Sequence, residues 1–186
     1  MLFPPSATPD ARRLVAARAL RGFADGLVSV LLASHLAAIG LSAAQVGAVV
    51  TATLLGSAAL TLAVGLGGRR LPERSVLLAA SLLMFATGLA FASVAALPLL
   101  LLVAFVGTLN PSGGDVSVFL PTEQSLLAAN VAAAERTSLF ARYNLAGTLL
   151  GALGALATGV PALVAAEGAA QPRTFLLYGA VAIGIG

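Results

Sequence analysis

The sequence has no cysteine and no lysine. Without cysteine there is no disulfide framework, no zinc–thiolate site and no thiol nucleophile. Charge is scarce too: acidic and basic residues together make up 9% of 186 residues, against roughly 25% in ordinary soluble domains. A soluble fold of this length would need far more polar surface to cover its core. What fills the chain instead is Ala, Leu, Val and Gly, with 59% hydrophobic residues and a mean hydropathy of +1.02. These values describe a membrane protein. The net charge of +3 comes from ten arginines, which lie between apolar runs and form no basic face. Nucleic acid is therefore not an expected partner, and the lipid bilayer is.

Apolar runs long enough to cross a bilayer need about 20 residues. They fall at about 14–37, 43–66, 74–95, 97–129 and 138–164. A further run over 174–186 would rise only about 20 Å as a helix, short of a hydrocarbon core of about 30 Å. The expected fold is an all-α polytopic bundle with five full spans and an incomplete sixth, so that a fragment of a longer protein is one expectation. Residues 1–13, "MLFPPSATPDARR", have no apolar core followed by a cleavage site and read as a cytoplasmic tail. With the N-terminus inside, Arg12, Arg13, Arg18, Arg69, Arg70, Arg74 and Arg136 are cytoplasmic and only Arg173 is outside. That bias follows the positive-inside rule. Small residues at helical spacing, Gly147, Gly151 and Gly154 in one span and Ser57, Thr61 and Gly65 in another, predict stripes where a second backbone packs closely.

The stretch "GLGGRRLPERSVLL" at 65–78 resembles the signature loop of the major facilitator superfamily, commonly Gly-x-Leu-Ala-Asp-Arg-x-Gly-Arg-Arg, with Gly65, Arg70 and Arg74 in register. "RALRGFADGL" and "RYNLAG" are similar to members of the same superfamily. Arg69, Pro72 and Glu73 depart from the motif, so the gate-locking role of the family's Asp does not carry over. The antiporter signature of the fifth helix is absent as well. The resemblance implies the N-terminal six-helix half of a secondary carrier in the cell inner membrane, working with a C-terminal half.

Charges at membrane depth cost at least about 2.5 to 3.5 kcal/mol each, so they tend to be paired and functional. Arg21 and Asp25 are i and i+4 on the first span and share a face. Glu123 lies ten residues before, and Arg142 nine after, a hairpin centre near residue 133. Their depths match, and Arg21 lies at a similar depth. Arg21, Glu123 and Arg142 are the candidates for a cytoplasmic gate, with a static ion pair as the plainer alternative.

In "NPSGGDVSVFLPTEQ", residues 110–124, helix breakers fall inside the fourth run. Pro111 removes a backbone donor. Interrupted helices near the midplane commonly hold transported solutes and ions. Asn110, Ser112, Asp115 and Asp25 are accordingly the cavity candidates, with a simple proline kink as the alternative. A desolvated carboxylate that alternates between charged and neutral forms suits proton coupling. "SGGD" is similar to the Gly-x-Gly-Asp signature of intramembrane aspartyl proteases. The Tyr-Asp partner is missing, however, and that chemistry needs two carboxylates in one site. The expected function is alternating-access transport of a small solute, with no enzymatic activity, cofactor or metal. A non-transporting partner subunit is the other alternative.

Overall fold

A computed structural model describes residues 3–67, 72–109, 119–159 and 180–181. Among these residues the structure is helical, without strands. The first helix, α1, runs Pro9–Ala38. The Thr8 hydroxyl accepts from the Ala11 N–H, Pro9 opens the helix and Asp10 lies in its first turn. This is the standard chemistry of an N-terminus, and it starts α1 five residues before the predicted 14. At the other end Gly40 takes φ 92°, and its N–H and that of Leu41 bond back to Ala37 and Leu36. Glycine at this left-handed position is the common way to end a helix.

The segment read as a tail is packed rather than free. The Thr8 N–H bonds to the Asn130 carbonyl at 3.3 Å, and the Thr8 hydroxyl meets Asn130 Oδ1 at 2.9 Å. The Ser6 N–H reaches Glu135 at 3.1 Å and its hydroxyl donates to the same carboxylate. Ala7 is buried with Ala11, Val15, Leu127, Val131, Leu139 and Tyr143. Residues 3–8 therefore strap the start of α1 to the turn after the fourth run.

Helix α2 (Ala43–Gly67) follows a reciprocal cap in which the Ser42 N–H donates to Gln45 Oε1 at 2.8 Å and the Gln45 N–H to Ser42 Oγ at 3.4 Å. This is a capping box. Helix α3 spans Glu73–Ser93. The fourth run is not one rod. Helix α4 is Leu97–Val106, with extended backbone at Gly107, and α5 is Phe119–Ala129. The described part of the break, Gly107 to Leu109, is buried, as irregular backbone at membrane depth must be unless it lines a watery cavity. A 3-10 turn over Ala133–Glu135 leads into α6, Arg136–Ala157.

Among the described residues three stretches are long and apolar enough to cross a membrane, Ala43–Gly67, Glu73–Ser93 and Ala133–Ala157. Helix α1 has the length, but its charged residues lower its hydropathy, and α4 and α5 are each too short to cross alone.

Helix α1 lies along α6 over most of its length, and α2 lies along α4. The glycine stripe on α6 sets the first contact: a Cβ on Gly26 would overlap the Gly151 carbonyl, and one on Gly22 the Gly147 carbonyl. Opposite that stripe, Leu145, Leu149 and Leu153 are exposed, four residues apart on the outer face. On α2 the predicted stripe holds in part: Ser57 is buried, and the far end of the stripe is not. Gly56, against the Phe105 carbonyl, makes the close approach, while Gly65 meets open space.

Candidate functional site

The charged cluster lies where α1, α5 and α6 converge. Helix α1 presents Arg18, Arg21 and Asp25, which lie three and four residues apart and so share one stripe. Helix α5 presents Phe119 and Glu123 one turn apart, and α6 presents Tyr143.

Arg21 and Glu123 form a fork. Nη1 donates to Oε1 and Nη2 to Oε2, both at 2.6 Å, and the side chains are only 2% and 1% exposed. Parallel charge-assisted bonds of this kind are the strongest geometry available to arginine. The Tyr143 hydroxyl donates to the same carboxylate, so Glu123 accepts from two helices at once. The Phe119 ring lies against the guanidinium of Arg21, 4.2 Å from its centroid. Arg18 stacks over Tyr143 at 5.6 Å and runs across Gly147, where a Cβ would strike its Nε. Asp25 is buried one turn beyond Arg21 and feels the charges of Arg21, Arg18 and Glu123. Two guanidinium groups and two carboxyl groups thus lie buried together inside the protein.

Phe119 belongs to the large apolar core of Leu32, Met84 and Phe91, whereas Tyr143 belongs to the smaller cluster under the N-terminal strap. The fork therefore closes the seam between two apolar bodies. Desolvation makes such a pair costly to break, since the survivor is left as an uncompensated buried charge.

Of the three gate candidates, the structure brings Arg21 and Glu123 together and leaves Arg142 out. Arg142 is half-buried and donates to the carbonyl of Ser138 at 3.0 Å and to its hydroxyl, one turn back on its own helix. Arg21 and Glu123 stand at one level along the bundle, while Arg142 differs from the expectation in azimuth. One residue along a helix turns about 100°, so Tyr143 occupies the position expected of Arg142. The signal was the adjacent phenol, a donor that can serve a carboxylate without adding charge.

Asp25 is the one cavity candidate within the described residues; Asn110, Ser112 and Asp115 lie outside them, as do Arg70 of the signature loop and the "SGGD" stretch. Gly65 is exposed near the end of α2, and Arg74 lies in the first turn of α3. Among the described residues no group of three or more His, Asp or Glu side chains is placed to hold a metal ion.

No family model matches the chain. It is similar to an uncharacterized membrane protein of Saccharomyces cerevisiae, 28% identical over 179 residues, a match that covers 92% of this chain. The chain spans 40% of the length of that relative.

Proposed function

We propose that this chain is the first half of a secondary active carrier of the major facilitator type, moving a small solute by alternating access. In this reading it is multi-pass in the cell inner membrane with a cytoplasmic N-terminus. The crossings are α1, α2, α3, the broken pair α4 and α5, and the run that begins with α6, with an incomplete sixth expected over 174–186. It is a carrier rather than an enzyme and uses no cofactor or metal. Its partners are the lipid bilayer, a solute, protons in a coupled version, and a C-terminal half.

The observation that carries the proposal is the sealed fork of Arg21 and Glu123 between α1 and α5. Side chains that cross-link two membrane segments through one desolvated bond are suited to hold one side closed and to separate when it opens. Asp25, one turn further along α1, is then the carboxylate that meets the cavity, together with Asn110, Ser112 and Asp115 of the interrupted stretch.

A second support is the pairing of helices. Crossing one packs on crossing five, and crossing two on crossing four. Exchanging the first triplet of crossings for the second turns each of these pairs into the other, as inverted repeats in transporters require. A non-transporting membrane protein is the second reading; the similar yeast protein is described only as a membrane protein.

The absence of cysteine supplies a test that needs no known solute. Val28 is fully buried on the same face as Arg21 and Asp25, one turn deeper. In vesicles, Val28→Cys should react slowly with a membrane-impermeant maleimide added from the side of the N-terminus. Adding Glu123→Gln should raise the rate at least about tenfold, since breaking the pair removes more than about 1.4 kcal/mol from the closed state. An unchanged rate in a folded variant makes the fork a strut and removes the gate.

A further inference from the structure

We propose that a cleft at the end of the bundle where α1 starts binds one anionic phospholipid from the adjacent leaflet. The cleft, of about 660 Å³, opens between the first turns of α1 and α3 and the last turn of α5. Two guanidinium groups from different helices stand at it, Arg13 of α1 and Arg74 of α3. Its walls are Leu14, Leu77, Leu78 and Leu126. Cations above an apolar wall suit a molecule with a phosphate at one end and hydrocarbon at the other, and basic pockets between membrane helices hold anionic headgroups in this way.

The hydrocarbon has a path out. Leu78 is exposed at the cleft and is followed by Leu82, Phe85 and Leu89, all exposed, down the outer face of α3. Their spacing of four, three and four residues makes one continuous stripe. An acyl chain lying along it leaves the phosphate level with the first turn of α3. There Pro72 makes no side-chain cap bond, and the positive end of the α3 dipole favours an anion.

The other polar groups of the cleft are engaged. Asn130 accepts from Thr8 and donates to Leu126. Asp10 meets one nitrogen of Arg13 at 3.2 Å in an exposed pair. Pairs of that kind are weak, and they leave the remaining guanidinium donors for a phosphate. The inference rests on the membrane character of the chain and not on the transport reading.

The test is native mass spectrometry of the purified protein released from micelles holding equal amounts of dioleoyl phosphatidylglycerol and dioleoyl phosphatidylcholine. One phosphatidylglycerol should be retained in preference to phosphatidylcholine. Arg13→Gln with Arg74→Gln should lower that retention about 25-fold, roughly fivefold for each arginine at a lipid surface. Arg12→Gln with Arg136→Gln removes the same charge outside the cleft and should leave retention unchanged. If the first double variant does not purify, Arg74→Gln alone is measured against the fivefold figure. Equal loss in both double variants, equal retention of the two lipids, or displacement by inorganic phosphate would each overturn the lipid site. Because no transport is measured, failure here leaves the carrier reading standing, and failure of the gate leaves the lipid site standing.

Discussion

Removing one member of the Arg21–Glu123 fork should cost far more than removing both. Glu123→Gln keeps the volume and an acceptor for Tyr143 but strands Arg21, which is 2% exposed. Breaking a buried pair from one side costs about 3–5 kcal/mol. Arg21→Met strands the carboxylate instead and should cost the same, about 3–5 kcal/mol. In the double variant neither charge remains. What is lost is an amide with incomplete partners, about 1–3 kcal/mol. The coupling in the double-mutant cycle is therefore at least about 3 kcal/mol, over a hundredfold in the unfolding equilibrium. The assay is unfolding of the micelle-solubilised protein by sodium dodecyl sulfate, followed by circular dichroism because the chain has no tryptophan. A double variant that loses the sum of the two single losses, within about 0.5 kcal/mol, refutes the fork as an energetic unit.

The same assay separates neighbours on α6. Tyr143→Phe removes the phenol that donates to Glu123 and should cost about 1.5–3 kcal/mol, the usual value for a bond to a charged group, whereas Arg142→Gln should leave the midpoint unchanged. Gly26→Ala drives a methyl into the Gly151 carbonyl and should cost about 1–3 kcal/mol as α1 and α6 part. Gly65→Ala, in open space, should stabilise by up to about 1 kcal/mol through helix propensity. Ser6→Ala loses the contacts of its hydroxyl with Glu135 and the Ala132 N–H. Proteolysis at the N-terminus should accelerate several-fold in that variant while the fork, read by the cycle above, is unchanged.

Composition and period made the helical, membrane-embedded class legible, because a chain with so little charge has no other way to satisfy its surface. The depth match of Glu123 with Arg21 was legible too, since counting residues from a hairpin centre measures rise. Counting does not measure rotation about the helix axis, which is why Arg142 was expected where Tyr143 stands. The early start of α1 was written in "TPD", a capping signature that hydropathy overlooks because those residues are polar. The place of Gly56 was hidden for a different reason. Any of several small residues on α2 could face a partner, and only the partner, the Phe105 carbonyl, selects among them.

The fork joins residues 102 positions apart, and the strap joins Ser6 to Glu135. In the carrier reading, then, the first segment meets the lipid carrying Arg18 and Arg21 before Glu123 has been synthesised. That segment is not among the described stretches that are long and apolar enough to cross a membrane by composition. In the same reading, Asp25 is the carboxylate nearest in sequence to these arginines until α5 arrives. The bond between Arg21 and Glu123 therefore closes late, once both ends of the 102-residue separation have been made.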